Sequence, residues 1–283
     1  STTAPSLTAN ATYYMWFNRT TYALTLNKGT GIASVTGAGT YKYGKQVSIS
    51  ATASTGYTFT SWSKNSGNSP ASTSAASTSV TITQATTLTA NAEDKTKPTS
   101  SIATTSTLKS ATQTATLKCS DGVGVTGYYF GTSSSGGTYT TTASDLTALT
   151  GSNGLTKTVN AAGTYYLFCK DSAGNVSTST SKTYYSYKVD NILEKVDGTT
   201  GTYTSANYAS ASNATYIAPS GTSITLASVY TAPTGASVST FKGYSTSFGT
   251  AAVTPSTTAP SLTANATYYM WFNRTRYALT LNK

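Results

Sequence analysis

Few side chains in this 283-residue chain can do chemistry, and their types exclude more than they allow. There is no histidine, so the commonest general base, the commonest metal ligand and the usual nucleophilic triads are all missing. The eight acids are Glu93, Asp94, Asp121, Asp145, Asp171, Asp190, Glu194 and Asp197. Glycoside hydrolysis needs two carboxylates facing one cleft. Glu93 and Asp94 instead fall in a charged polar stretch, and Asp121, Asp171 and Asp197 stand beside Ser or Gly, where turn chemistry explains them. Asp190, Glu194 and Asp197 are close in sequence, but their spacing matches no calcium loop. Gly29-Thr30-Gly31 and Ser135-Gly136-Gly137 lack a following Lys-Ser/Thr and a following helix, so they read as turns and not phosphate loops. No catalytic group, metal site or cofactor site is expected.

What remains is aromatic and repeated. Residues Ser1 to Lys28 read STTAPSLTANATYYMWFNRTTYALTLNK and recur, 255 residues on, as Ser256 to Lys283. The copies differ once, Thr21 against Arg276. Duplication of this length marks an array of modules, and predicts one full period of a longer tandem repeat. In Thr12 to Asn18, Tyr13, Met15 and Phe17 alternate with Tyr14 and Trp16, so both faces are apolar. A strand of that kind belongs inside a sheet or at a module junction. Tyr14 and Trp16, their copies Tyr269 and Trp271, and Trp62 are the candidate ligand-binding or junction aromatics. Ring faces suit sugar faces, but in small modules such residues more often form the core or the contact with a neighbour.

These residues must be positioned by strands. Charged residues make up only 9% of the chain, while 22 Tyr and 3 Trp supply apolar area. Thr, Ser, Tyr, Val and Gly dominate, a strand-and-turn composition. The net charge of +10 is scattered and forms no stripe, which argues against nucleic acid; it leaves two readings on equal footing, an anionic wall, polysaccharide or membrane face as neighbour, or an aid to solubility alone. No stretch is long and apolar enough to span a bilayer, and no signal peptide is seen; the chain starts inside a repeat, so its true N-terminus is expected to be missing and the absence of targeting signals means little. Asn-x-Ser/Thr sequons at Asn10, Asn18, Asn175, Asn213, Asn265 and Asn273 arise easily in a Thr-rich chain.

Taken in order, residues 1–21 read as closing strands of a preceding module, with runs at Leu7–Ala11 and Thr12–Asn18. Residues 22–93 form a complete unit: Tyr22-Leu24-Leu26, a Gly-rich turn, Tyr41-Gly44-Val47-Ile49-Ala51, Gly56-Tyr57-Phe59-Trp62, and Thr87-Leu88-Ala90-Ala92. This order of parts resembles the internalin-type B repeat in its divergent bacterial form. The resemblance implies a small β-grasp-like fold in a secreted or cell-wall protein.

Residues 94–187 begin with a linker that ends at Pro98 and resemble a bacterial immunoglobulin-like domain. The matching stretches are Ala115 to Asp121 and Gly163 to Ser177, the latter carrying an Asp-x-Ala-Gly-Asn turn. The resemblance implies a B–F inter-sheet disulfide between Cys119 and Cys169, worth about 4 kcal/mol on the chain-entropy model and pointing to an oxidising compartment. Two buried free thiols are the alternative, and Leu167 stands where such domains usually have Tyr.

Residues 188–275 resemble a second, looser B-repeat or mucin-binding-type unit. Ile192–Val196 reads as a short helical turn, Ile224–Leu226 as a strand, and Phe241 to Ser245 as the counterpart of the Phe59 to Trp62 region. Residues 276–283 open the next period.

The expected fold is mainly β, a string of small modules, B-repeat-like, immunoglobulin-like and B-repeat-like. Three functions are candidates: a non-catalytic structural segment of a bacterial surface fibre or adhesin stalk, whose partners are neighbouring repeats; an array binding cell-wall or host glycans; or a subunit polymerising by strand exchange at its duplicated ends.

Overall fold

The computed structural model describes residues 3, 6, 9, 10, 12–229, 239–274, 276, 279 and 280. The chain forms two compact units, Ser1–Thr96 and Lys97–Lys283. Most of the expected Leu7–Ala11 run and of the 276–283 segment lies outside the described residues.

In the first unit, alternating apolar residues make seven strands among the described residues: β1 (Thr21–Lys28), β2 (Ile32–Thr36), β3 (Gly39–Lys42), β4 (Lys45–Ala53), β5 (Thr58–Ser66), β6 (Ser77–Ile82) and β7 (Thr86–Glu93). They form two sheets, ordered β3-β1-β7-β5 and β2-β4-β6. β1 and β7, the first and last strands, are parallel neighbours, in register from Leu24 opposite Thr86 to Lys28 opposite Ala90. The facing layer is the three-stranded sheet, where a β-grasp fold would carry a helix. Leu24, Trp62 and Leu88 from one sheet and Ile49, Val80 and Ile82 from the other close one core. Trp62 is fully buried there, its ring centroid 5.9 Å from that of Phe59, and its Nε1–H donates to the Ala75 carbonyl at 3.2 Å. Gly31 sits at φ +76°, and a Cβ there would come within 2.2 Å of the Tyr57 ring, so the turn after β1 requires glycine.

The second unit contains β8 (Thr99–Thr105), β9 (Gln113–Ser120), β10 (Val125–Gly131), α1 (Ala143–Thr150), β11 (Leu155–Val159), β12 (Gly163–Asp171), β13 (Thr180–Glu194), β14 (Tyr208–Pro219), α2 (Leu226–Val229), β15 (Ser239–Ser245) and β16 (Ala266–Arg274). A small sheet β11-β9-β8 packs on the large sheet β10-β12-β13-β16-β15, in which β14 also pairs with β13. Leu117, Leu149, Leu167 and Tyr184 lie buried in the core between them. Cys119 on β9 and Cys169 on β12 are joined by a disulfide across the two sheets, with Cα atoms 6.0 Å apart.

β13 changes the expected layout. The anticipated boundary at 187/188 falls inside this one fifteen-residue strand. Its first residues, Thr180 to Tyr184, pair with β12; Tyr187 to Leu193 pair with β16. One unbroken backbone therefore serves both the immunoglobulin-like part and the C-terminal part of the unit. The apolar Tyr184, Tyr187, Val189, Ile192 and Leu193 are all buried, which explains its length. The same pairing makes Ile192 to Glu194 strand and not helical turn. Leu226, expected on a strand, starts the short helix α2 instead.

Candidate functional site

Asp121 accepts backbone N–H bonds from Val123 at 2.8 Å and Gly124 at 3.0 Å, and Asp171 is bonded by the N–H and side-chain amide of Asn175, both at 2.8 Å. Both are turn-forming contacts. Asp145 lies in the first turn of α1 and takes Tyr128 Oη at 2.6 Å and Lys157 Nζ at 2.9 Å. Those two hydrogen bonds hold its carboxyl below the ordinary range. Glu93 pairs with exposed Lys95, and Asp94 receives the Thr96 N–H. Asp190 takes the Ser210 hydroxyl and faces Lys188 Nζ at 3.7 Å. Asp197 is exposed in a turn. Two clefts in the second unit are lined mainly by Ser, Thr and Gly; one contains no carboxylate and the other Asp121 alone.

The most elaborate construction is the seat of β16. This strand lies between β13, to which it is parallel, and β15, to which it is antiparallel. Tyr268, Met270 and Phe272 enter one apolar cluster with Tyr187, Val189 and Leu262. Trp271 enters another, on the opposite side, with Ile192 and Tyr208, against which Tyr203, Phe248 and Tyr269 pack. Trp271 stands edge-on to Tyr203 and Tyr208 at 5.5 and 5.2 Å, and its Nε1–H donates to Ser245 Oγ at 2.8 Å. Burial raises the Tyr208 hydroxyl to a pKa of about 12, and that hydroxyl donates to Asn273 Oδ1 at 2.7 Å. Asn265, another sequon asparagine, accepts the Ser186 N–H at 2.9 Å. At the edge of β15, Gly243 at φ +128° brings the chain so close that a Cβ would meet the Ser256 carbonyl at 2.6 Å.

Glu194, at the end of β13, secures the exit of the strand. Its carboxylate is 1% exposed. It accepts the Arg274 N–H at 2.8 Å, Arg276 Nη2 at 2.7 Å and the Thr200 hydroxyl, while Arg274 Nε donates to the Glu194 carbonyl at 2.6 Å. Burial alone would raise its pKa; the bonds from Thr200, Arg276 and Arg274 outweigh burial and lower it. Sequence reasoning missed this cluster. Its signals were present: an acid beside the apolar pair Ile192-Leu193, and an arginine at the one position where the two copies differ.

The candidate aromatics separate by location. Trp62 and Trp271 are fully buried, and Tyr269 is partly buried, its ring stacked on Phe248 at 5.6 Å. Tyr14 and Trp16 are 81% and 93% exposed, and Thr12 to Thr20 make no strand pairing. Identical residues therefore occupy opposite environments at the two ends of the chain.

Residues 22–96 match the divergent InlB B-repeat domain, a family that occurs in bacterial surface proteins. No curated protein matches the chain. Among the described residues no helix is long and apolar enough to cross a membrane.

Proposed function

We propose that the chain is a structural repeat segment of a bacterial extracellular fibre or adhesin stalk, without catalysis, and that its modules serve to carry tension. The observation behind this reading is the strand arrangement of the first unit. The chain enters at β1 and leaves at β7, and these strands are parallel neighbours over Leu24 to Lys28. Pulling the two ends apart slides one strand along the other. All the ladder hydrogen bonds are then loaded together, instead of one by one as in an unzipping hairpin. The disulfide between Cys119 and Cys169 supports an oxidising, extracellular setting. The B-repeat match supports a surface protein.

Single-molecule pulling of the whole chain by its ends tests this. The first unit should open in one abrupt high-force step, releasing about 250 Å of contour for some seventy residues at about 3.5 Å each. Gradual opening at low force would overturn the tension-carrying role. The exposed Tyr14 and Trp16 favour a second reading, a glycan-binding array. Retention of the chain on a broad glycan panel, lost in Trp16→Ala, would favour it over the first.

A further inference from the structure

We propose that residues 12–19 of one copy of this chain can close the second unit of another copy by taking the seat of β16, and that Glu194 decides between the two strands by reading the residue two places beyond each, Thr21 or Arg276. This goes beyond the stalk reading and stands without it, because it rests on the strand, its seat and the one difference between the copies.

Residues 1–20 and 256–275 are identical. The C-terminal copy supplies β16, whose two faces fill two apolar clusters. The N-terminal copy holds the same side chains in solvent, with Trp16 at 93% exposure against 0% for Trp271, and Met15 at 80% against 0% for Met270. Monomeric proteins rarely leave a run of large apolar residues uncovered. Here the chain itself contains a seat of the right shape, lined by β13 and β15 and already shown to fit this sequence. Strand addition of this kind draws affinity from main-chain bonds and specificity from alternate side chains.

Exchange also balances. When an incoming strap displaces β16, one set of contacts is buried and an identical set is released, so the strand contacts cancel. Arg19 carries the same groups as Arg274, whose N–H and Nε engage Glu194. Within the seat, the contact that does not cancel is the last one. Arg276 donates to the Glu194 carboxylate at 2.7 Å, whereas the incoming strap has Thr21 at that place. A threonine is too short to replace a guanidinium on a carboxylate that is 1% exposed. Glu194 thus favours the strand of its own chain. A strap followed by arginine would compete on equal terms.

Light scattering on size-exclusion fractions tests this. The whole chain is annealed over a concentration series a few degrees below its melting midpoint, where β16 can open. Wild type should associate most weakly. Thr21→Arg gives the incoming strap the arginine, and Arg276→Thr removes it from the resident strand. Each should raise the association constant roughly five- to tenfold, about the strength of one ion pair with a buried partner. Adding Trp16→Ala to Thr21→Arg should return the chain to monomer, since Trp16 lies outside the folded core and its loss leaves both units intact by circular dichroism. Association that is equal in wild type and in both single variants would overturn the role of Glu194. Association that survives Trp16→Ala, or none in any variant, would overturn the seat itself.

Discussion

Thr12 to Arg19 and Thr267 to Arg274 have the same sequence and share almost nothing else. The first stretch is exposed and unpaired in any sheet; the second is the strand on which the end of the second unit closes. Local propensity is equal in the two, so it cannot be what makes one a strand. The difference comes from what stands on either side: β13 and β15 offer ladders and two apolar faces to the second copy. Strand formation here is a property of the seat, in line with the view that β-propensity reports the fit of a side chain to a pleated, half-buried surface.

Four measurements test the contrast. The largest effect is expected from Trp271→Ala, which should lower the stability of the second unit by about 4 kcal/mol in urea unfolding and leave the first unit unchanged. Reduction of the Cys119–Cys169 disulfide comes next, at up to about 4 kcal/mol on the chain-entropy model and in practice less. It should act on the second unit alone, as the first contains no cysteine. Arg276→Thr should cost about 1 kcal/mol, and it carries a pH signature. The Glu194 pKa is lowered from its ordinary 4.5, so its contribution is fully present above that value and is lost as pH falls through the lower, folded value. Acid titration of the melting midpoint should show that loss in wild type and a shallower one in Arg276→Thr. The smallest effect is that of Trp16→Ala, expected within about 0.5 kcal/mol in the dilute monomer. A loss as large as that at Trp271 would mean that Trp16 is covered, and would end the contrast.

Much of this was legible in the sequence where period and chemistry coincide. Tyr22-Leu24-Leu26 and Gly56-Tyr57-Phe59-Trp62 marked out the first unit, and residues 22–96 match the B-repeat family. Alternation on both faces of Thr12 to Asn18 announced a strand for the inside of a sheet, and its copy is one. The break expected after Tyr187 was not there, because nothing local shows that Tyr184 and Tyr187 face the interior on one continuous strand. The Glu194 cluster was hidden for a related reason: its arginine partners lie about 80 residues away, and pairing over that distance leaves no periodic trace. The glycines were readable as turns. Which of them had no alternative, as at Gly31 and Gly243, depended on a ring or a carbonyl brought close by folding.

The order of the strands along the chain also sets a clock. β13 is finished at Glu194, but its parallel partner is complete only at Arg274, 80 residues later. At about 5–20 residues per second of synthesis, that edge stays open for roughly 4–16 s, whereas a hairpin forms in about 1–10 μs. Throughout that interval a strap of identical sequence, made before the second unit, is already available. The nascent second unit therefore meets a competitor before its own closing strand exists, and an arginine that arrives with the late strand is well placed to restore the intended partner.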